Sequence, residues 1–451
     1  MDEDTEQLRR LGYAQQLLRD MGGFANFALS FSIISVLTGA VTLYGHGLRY
    51  GGPLQMSLGW PLVTLLTLPI AISLAELASA YPTAGALYHW SSILGGRGAG
   101  FFTAWLNTIG QFAITAGIDY GLAEFVAAML GVAARGGIVL IFAAILVSHA
   151  VLNHLGVRLV ARLNDLSAWV HIVGVAVIAG ALALFAPHQP PAFLWQRHGG
   201  PFAIGLLQAC WTFTGYDASA HVSEETHDPS RNAAWGMVMS VAVSGVAGYA
   251  LLVAVTLSIG DLPAAAAADS PFIFVLQQAL PQTGNALVLI AMAAMWFCGL
   301  SSVTSNSRML FAFARDGGLP FSPQLSSVTP RFRSPHFAIW TSAAAALLVA
   351  LWSEAYSAMV ALSTIALYAS YGMPIACGLL AEKRERGPWQ LGRWSRPLNI
   401  VALLWIAACA VLFVLPPNQL AGYTFAGCLL ALALYWRFHM RARFKGPPGI
   451  V

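Results

Sequence analysis

Long apolar runs recur along this sequence and constrain its fold more than any other feature. We count twelve, each near the roughly 20 residues that a helix needs to cross the hydrocarbon core of a bilayer. Charged residues make up only 9% of the chain and hydrophobic residues 57%, whereas a soluble domain carries roughly 25% charged residues. The sequence therefore predicts an all-α integral membrane protein.

The predicted spans are numbered in chain order. They cover residues 24–47, 54–80, 99–130, 137–155, 159–185, 202–223, 233–259, 284–314, 335–352, 356–380, 398–415 and 420–438. The polar start, residues 1–23, lacks the apolar core and cleavage site of a signal peptide, so we expect the first span to be retained. Residues 186–201 and the segment containing DLPAAAAADSP are predicted loops.

Basic residues predict how the spans are oriented. With a cytoplasmic N-terminus, the outward loops hold only Arg49, Arg135 and Arg197, and the other 20 of the 23 basic residues fall at inward positions or termini. Because Lys and Arg favour the cytoplasmic side, we expect both termini in the cytoplasm and the protein in the plasma (inner) membrane. This topology and contact with anionic lipid explain the net charge of +4 without nucleic acid.

Several classes of protein are disfavoured. The five cysteines are odd in number and all lie in apolar runs, so a disulfide framework is not expected. The absence of a phosphate-binding loop, of metal-spaced His and Cys and of a nucleophile elbow argues against an ATP-driven pump and a membrane enzyme. A channel would need a continuous polar pore. A carrier without a cofactor, driven by a gradient, is the favoured interpretation; a sensor without transport is an alternative.

One polar stretch, FTGYDASAHVSEET at residues 213–226, interrupts the sixth span. Thr214 and Gly215 are poor helix formers, and Asp217 suits the start of a new helix. We therefore predict a break at residues 213–216. Backbone groups freed in hydrocarbon each cost several kcal/mol unless they face protein, ions, water or substrate, so a break indicates a binding site.

The first span contains a corresponding weak point at Ser35, Thr38 and Gly39. Spans one and six run in opposite directions, as the halves of an inverted repeat do. The predicted organisation is a segment 1–23, a first five-helix repeat 24–186, a second repeat 187–380, and a last part 381–451 holding two helices and a cytoplasmic tail. Close packing of small residues is the alternative explanation of the first-span pattern.

Four sequence blocks resemble the amino acid-polyamine-organocation (APC) superfamily of secondary transporters, particularly its amino acid and choline transporter branch. They are SFSIISVLTGAVTLYGHGLRYGGP, ELASAYPTAGALYHW, FTGYDASAHVSEETHDPSRNA and SNSRMLFAFARDGGLP, in this order along nearly the whole chain. The resemblance implies a LeuT-like fold, with ten core helices in two inverted repeats, two peripheral helices and a central site between the breaks. It also implies amino acids, γ-aminobutyrate or choline-like amines as substrates.

The expected substrate is a small zwitterion or amine held largely by backbone. Helix N-termini offer N–H groups to a carboxylate, and unwound carbonyls face an ammonium. The predicted substrate-binding residues are Ser35, Val36, Leu37, Thr38, Gly39, Gln208, Trp211, Phe213, Thr214, Gly215 and Asp217. Trp211 or Phe213 would cover the ligand, or would simply pack. Asp217 would either bind an amine or cap the helix that follows it.

Ion pairs are predicted at the inward end of the sixth span. Glu224 and Glu225 are expected either to be solvated or to pair with Arg308 or Arg315, and a network of such pairs would close a gate. Glu76, at the end of the second span, has the same two interpretations.

The coupling ion is left open between a proton and sodium, and exchange without an ion is a further possibility. By resemblance, Cys298, Ser301 and Ser302 lie where sodium-coupled relatives bind their cation, and this is the possible sodium site. His171 lies about where proton-coupled relatives carry a lysine, which this chain lacks in its spans because Lys383 and Lys445 are its only lysines. A histidine titrates near neutral pH, so proton coupling is favoured.

Other predictions are less specific. The secondary coupling candidates are Asp119, Glu124 and Asp165. A carrier of the same fold for another class of substrate, such as nucleobases, is a rival to amino acid transport. The sequence does not indicate an oligomeric state.

Overall fold

The computed structural model describes residues 3–352, 356–382 and 384–448, and these ranges are almost entirely helical. Lys383, one of the two lysines, lies outside them. Within the described ranges, ten helices are long and apolar enough to cross a membrane. Two shorter apolar helices, Phe202–Thr212 and His336–Leu351, lie where the sixth and ninth spans are predicted. These twelve helices are called the first to twelfth spans.

The bounds of the helices are as follows. The spans are Gly23–Ala40, Gln55–Ala80, Ala86–Leu130, Arg135–His154, Val157–Phe185, Phe202–Thr212, Pro229–Leu257, Gly284–Arg315, His336–Leu351, Tyr356–Leu380, Gly392–Leu412 and Gln419–Met440. The shorter helices between or before them are Glu3–Arg10, Tyr44–Gly51, Pro191–Trp195, Ala218–His221, Ser223–Glu225, Leu262–Ala267, Pro271–Ala279 and Ser322–Leu325.

Two of the differences from the predicted boundaries have a clear local cause. The third span begins at Ala86 instead of residue 99, because a helix before it is joined to it across Gly96, whose φ of 82° and ψ of 169° are not helical. A glycine tolerates this conformation at little cost. The predicted loop DLPAAAAADSP instead forms the helix Leu262–Ala267, since Asp261 accepts a hydrogen bond from Ala264 N at 3.0 Å and caps an alanine-rich segment.

The first and sixth spans are both interrupted. In the first, an α-helix ends at Ile34, Ser35 has φ 16° and ψ 93°, and the π-helix Val36–Ala40 follows. In the sixth, the α-helix ends at Thr212, Gly215 has φ 89°, and a short helix resumes at Ala218–His221. The second break therefore covers residues 213–217, one residue more than the sequence predicts.

Small residues let the spans pack closely around these breaks. The seventh span packs along the first and second, and the third packs along the eighth and tenth. Gly117 of the third span faces the Trp211 ring, and Gly248 of the seventh span faces the Trp60 ring. On the outside, large apolar side chains are more than 70% exposed, among them Leu140, Leu184 and Leu380. An outer surface of this kind suits lipid rather than water.

The N-terminal segment, residues 3–22, lies against the end of the sixth span. Met21 forms an isolated β-bridge with Thr226, and Gln15 Nε2 donates to the Glu224 carbonyl at 2.7 Å. Asp20 N and Met21 N both donate to the Glu225 carbonyl. We call this side of the protein the N-terminal face.

Candidate functional site

The two broken segments are in direct contact. A Cβ added to Gly39 would lie 2.5 Å from Thr212 Oγ1 and 2.9 Å from Thr212 Cα. Beyond this point, Gln208 Nε2 donates to the Ala40 carbonyl at 2.9 Å. Glycine at position 39 is therefore what allows the first and sixth spans to approach each other here.

A very small cavity of about 10 Å³ lies between the breaks. Its lining residues are Ile33, Ile34, Thr38, Gly39, Ile114, Ile118, Trp211 and Thr212. Of the predicted substrate-binding residues, only Thr38, Gly39 and Trp211 line it. Sequence reasoning missed the third-span pair Ile114 and Ile118, which share one helix face at i and i+4. That spacing is visible in the sequence, but it does not tell which partner the face contacts.

Unpaired carbonyl groups follow the sixth-span helix. The carbonyl oxygens of Thr212, Phe213 and Thr214 accept no hydrogen bond from any part of the chain that the structure describes. Upstream carbonyls are occupied: Gln208 O accepts from the Thr212 hydroxyl, and Trp211 O accepts from Thr214. Buried backbone groups are almost always paired, so three consecutive unpaired carbonyls are what an ammonium or another cation would bind.

Hydrogen bonds within the first-span break hold it in shape. Thr38 N and Gly39 N both donate to the Ser35 carbonyl at 2.9 Å, and the Ser35 and Thr38 hydroxyls lie 2.6 Å apart. Val36 and Leu37 are buried in the π-helical turn. The N–H groups predicted to face a carboxylate are thus partly engaged with Ser35 in this arrangement.

The two candidate aromatic residues have different environments. Trp211 lines the cavity, and its indole Nε1 donates to Ser363 Oγ of the tenth span at 2.9 Å. The Phe213 ring instead packs on Trp60 of the second span, with 4.7 Å between ring centroids. Trp211 can therefore cover a ligand directly, whereas Phe213 packs the break against the second span.

Asp217 occupies the N-cap position of the helix that follows it, but its side chain makes no capping hydrogen bond, so the interpretation that this side chain caps the helix is wrong. Its carboxylate accepts hydrogen bonds from the Tyr371 hydroxyl at 2.9 Å and from Asn107 Nδ2 at 3.1 Å. His221 Nε2 lies 3.2 Å from the same carboxylate. These partners come from the third, sixth and tenth spans and leave the side chain fully buried. Asp217 therefore ties the break to its surroundings and does not line the cavity.

His171 contacts the first-span break. Its Nε2 lies 2.7 Å from Ser35 Oγ, and its Nδ1 lies 2.8 Å from the Ser167 carbonyl. A carbonyl only accepts, so Nδ1 carries the proton, and a neutral ring can accept from the Ser35 hydroxyl at Nε2. The sequence places His171 in the correct region, but its hydroxyl partner could not be predicted.

The predicted cation-binding hydroxyls are bonded to neighbouring helices. Ser301 Oγ donates to Asn164 Oδ1 at 2.9 Å, and the Ser302 hydroxyl lies 2.7 Å from that of Thr115. Cys298 Sγ donates to the Ile33 carbonyl at 3.3 Å, which does bring the eighth span to the first-span backbone.

Two buried ion pairs join the sixth span to the eighth at the N-terminal face. Glu225 binds Arg308 through two hydrogen bonds of 2.9 and 3.0 Å, with both side chains fully buried. Glu224 binds Arg315 through two of 2.8 and 2.9 Å. The alternative that these glutamates are solvated is therefore wrong, because both are 1% exposed or less.

Glu76 belongs to a different contact. Its carboxylate accepts hydrogen bonds from Arg384 at 2.9 Å, Ser395 Oγ at 2.7 Å and Leu391 N at 3.1 Å. Arg384 and Leu391 precede the eleventh span, and Ser395 lies near its start. Glu76 thus fixes the second span to this connection, and the structure does not bring it together with Glu224 or Arg308.

Asp316 is a further acidic residue at the N-terminal face. Asp316 Oδ2 accepts hydrogen bonds from the hydroxyls of Tyr13 at 2.7 Å and Tyr88 at 2.8 Å. Burial raises the pKa of the Asp316 carboxyl above its ordinary value, and the Arg315 guanidinium and the two hydroxyls oppose that rise. Arg315 also lies over the Tyr13 ring at 3.9 Å. The N-terminal segment is therefore held to the end of the eighth span by polar and ring contacts.

The secondary acidic candidates are separated. Asp119 pairs with His149 of the fourth span, with 3.1 Å between Oδ2 and Nδ1, and both are fully buried. Glu124 is exposed, and Asp165 is partly exposed. Only Asp119 therefore lies inside the protein with a titratable partner.

Helix breaks that meet at a cavity inside a bundle of membrane-length helices are the features of a carrier. Residues 22–436 match the family model described as "Amino acid permease". The chain is 35% identical to "Amino-acid permease BAT1" of Arabidopsis thaliana, over 99% of this chain and 96% of that protein. It is 34% identical to the "Amino-acid permease BAT1 homolog" of Oryza sativa subsp. japonica, over 99% and 96%. It is 27% identical to the "GABA-specific permease" of Saccharomyces cerevisiae, over 98% and 86%.

These matches cover nearly the whole chain. The protein belongs to the amino acid permease family, within the APC superfamily that its sequence blocks resemble. It is an integral membrane transport protein and not an enzyme.

Proposed function

We propose that this protein is a secondary active transporter that moves a small amino acid or amine across the membrane by alternating access. The observation that carries the proposal is the contact between the two helix breaks, with three unpaired carbonyls that begin at Thr212, a residue that also lines the cavity. Unwound backbone near the middle of a carrier offers ligands that a continuous helix cannot. In this proposal residues 24–186 and 187–380 are inverted repeats that move against each other.

The ammonium of the substrate binds the carbonyls of Thr212, Phe213 and Thr214, next to Trp211. Its carboxylate, where it has one, binds the first-span backbone at Ser35–Gly39. The cavity has mostly apolar walls, which suit a short aliphatic body between two polar ends, and from its volume of about 10 Å³ it has to widen before a substrate can enter. The name of the yeast relative, "GABA-specific permease", supports a substrate whose amino and carboxyl groups are both free.

The N-terminal face is cytoplasmic in this proposal, and the membrane is the plasma (inner) membrane. The excess of Lys and Arg on that side supports it. The buried Glu224–Arg315 and Glu225–Arg308 pairs then close the inner gate. For substrate to leave towards the cytoplasm, both pairs have to separate or move together with their helices.

The proton is the proposed coupling ion, and His171 is a candidate carrier. When neutral, its Nε2 accepts a hydrogen bond from Ser35. A second proton would turn Nε2 into a donor, so the Ser35 hydroxyl would have to turn its own hydrogen towards Thr38. Protonation of His171 is thereby linked to the first-span break.

Sodium is the alternative coupling ion. The contact of Cys298 with the Ile33 carbonyl supports it, because it brings the eighth-span hydroxyl residues close to first-span backbone oxygen. For sodium to bind, the Ser301 hydroxyl would have to give up its hydrogen bond with Asn164, and the Ser302 hydroxyl its hydrogen bond with Thr115.

The proposal predicts saturable uptake of labelled amino acid into proteoliposomes containing the purified protein. We expect an inward proton gradient to accelerate uptake at zero sodium, and a sodium gradient at constant pH to have no such effect. Unlabelled amino acids should compete and purines should not. Stimulation by sodium alone would select the alternative ion, and competition by purines alone would refute amino acid transport.

Replacing His171 with glutamine is expected to flatten the pH dependence of uptake. Glutamine can still hydrogen bond to Ser35 but does not titrate near neutral pH. The measurement is initial uptake rate against pH, compared with the wild type at equal protein content. A His171→Gln variant that keeps the full pH dependence would exclude His171 as the proton carrier.

A further inference from the structure

Asp217 and His221 form a titratable pair inside the protein. The two residues are one helical turn apart, immediately after the sixth-span break, and both are fully buried. His221 Nδ1 lies 3.0 Å from the Ala84 carbonyl, and Nε2 lies 3.2 Å from Asp217 Oδ2. Both nitrogens of one ring therefore face oxygen atoms.

The partners of this ring require one more proton than a neutral histidine and an ionised aspartate carry together. A carbonyl oxygen only accepts, so Nδ1 must carry a hydrogen. An ionised carboxylate also only accepts. Hence either Nε2 carries a second hydrogen, or Asp217 is protonated and donates to Nε2. Without that proton, two lone pairs face each other at one of the two contacts.

The surrounding hydrogen bonds do not offer another solution. Gly215 N donates to the Tyr371 hydroxyl at 3.1 Å, so this hydroxyl donates its own hydrogen to Asp217 Oδ1. Asn107 Nδ2 donates to Oδ2. Neither group can supply the missing hydrogen between Oδ2 and Nε2. By contrast, His171 faces one carbonyl and one hydroxyl, and a neutral ring satisfies both.

We propose that Asp217 and His221 together form a proton-binding site, and that the bound proton holds the N-terminal face closed through the Ala84 peptide. Ala84 lies in the segment 81–85, between the second and third spans. Its carbonyl faces His221, and its N–H donates to Glu224 Oε1 at 3.1 Å. Glu224 is bound in turn by Arg315. The Asp217–His221 pair and the Glu224–Arg315 ion pair of the gate therefore both bind the segment 81–85.

The hydrogen-bond partners of His221 determine whether a rise in pH opens or closes the N-terminal face. When Ala84 is released, a neutral ring with its hydrogen on Nε2 satisfies Asp217 alone, so the open arrangement does not need the extra proton. The closed arrangement therefore binds the proton more tightly, and by linkage a rise in pH favours opening. With one proton released on opening, the opening equilibrium constant rises up to about tenfold per pH unit.

Other charged or titratable groups surround the pair. Tyr371 of the tenth span donates to Asp217, and the Tyr216 ring lies 4.9 Å from that of Tyr371. Beyond Ala84 lie Glu224 and Arg315. His89 is five residues further along the chain, 2.8 Å from the Thr83 hydroxyl. None of these groups lies between His221 and Asp217.

The first test measures protonation without transport. Nitrogen NMR of protein carrying ¹⁵N-labelled histidine, with infrared spectra of its carboxyl groups, is recorded as pH rises until exposed histidines are neutral. We expect one of the eleven rings to stay doubly protonated, or a protonated acid to persist in its place. His221→Gln should remove the signal, and His439→Gln at an exposed site should not. A wild-type spectrum with every ring neutral and no protonated acid overturns the proposal.

The second test measures closure of the N-terminal face. Hydrogen exchange of the segment 81–85, corrected for intrinsic pH dependence, should accelerate with pH in the wild type by up to about tenfold per unit. In Asp217→Asn the amide donates to Nε2 without a titratable proton, so this acceleration should be lost. Equal acceleration in both proteins overturns the link to closure, and a variant that fails to fold leaves the decision to the wild-type spectrum.

The pair is relevant to coupling only if the proposed function holds. Neither test uses transport, so absence of uptake in the wild type would refute that function separately.

Discussion

Replacing Arg308 with glutamine is expected to destabilise the folded protein by about 3–5 kcal/mol, because it leaves a buried carboxylate without its cation. Arg308 and Glu225 are both fully buried and joined by two hydrogen bonds. Arg308 Nη1 also donates to Asn153 of the fourth span and to the adjacent Ser307, so two neighbouring helices lose a partner. Thermal unfolding of the purified protein at a fixed scan rate measures the effect.

The double variant Arg308→Gln/Glu225→Gln distinguishes two effects of losing Arg308. One is the loss of the ion pair itself, and the other is the cost of leaving the Glu225 carboxylate buried without a cation. The double variant removes both ions, so it should be more stable than either single variant. Arg9→Gln is the exposed control, because Arg9 pairs with Glu6 on the surface, where ion pairs contribute little. If Arg308→Gln unfolded like Arg9→Gln, the buried pair would not be a structural element of the closed face.

The breaks could be predicted because their chemistry is local. Thr214 and Gly215 disfavour a helix whatever surrounds them, and the structure breaks the sixth span there. The first-span break at Ser35 is predicted in the same way, from residues that disfavour a helix less strongly. The kink at Gly96 was missed, since a single glycine in an apolar helix pattern is often tolerated. Local propensity therefore located two of these three interruptions.

The partners of the site residues could not be predicted because they are distant in sequence. Asp217 and Tyr371 are 154 residues apart, and His171 and Ser35 are 136 apart. Local reasoning leaves Asp217 as either an amine ligand or a helix cap and does not indicate its partners Tyr371 and Asn107. Which side chain satisfies a buried acid depends on how spans pack, and one sequence does not contain that information in readable form.

Glu224 and Glu225 illustrate the intermediate case. The presence of Arg308 and Arg315 in the eighth span made pairing with the sixth span a reasonable hypothesis, because buried charges need partners. The exact pairing, Glu225 with Arg308 and Glu224 with Arg315, depends on how the 3₁₀ turn Ser223–Glu225 directs consecutive side chains. Charge complementarity predicts a network, and backbone geometry decides its members.

Replacing Gly39 with alanine is expected to reduce amino acid uptake by roughly 5- to 150-fold while the protein still reaches the membrane. The added Cβ would lie 2.9 Å from Thr212 Cα, a backbone atom that cannot turn aside. Overpacking of this kind costs about 1–3 kcal/mol, and about 1.4 kcal/mol corresponds to a factor of ten. Initial uptake rate per molecule of reconstituted protein measures the effect.

Gly180→Ala is the matched control, because nothing lies within 4 Å of a Cβ at that fifth-span position. The double variant Gly39→Ala/Thr212→Ser tests the reason for the loss. It removes only the methyl group of Thr212 and keeps Oγ1, Cβ and Cα, the three atoms nearest the added Cβ, so uptake should stay low. Full uptake by Gly39→Ala would mean that the first and sixth spans do not need this close approach at any stage of transport, and the substrate site would then have to lie elsewhere.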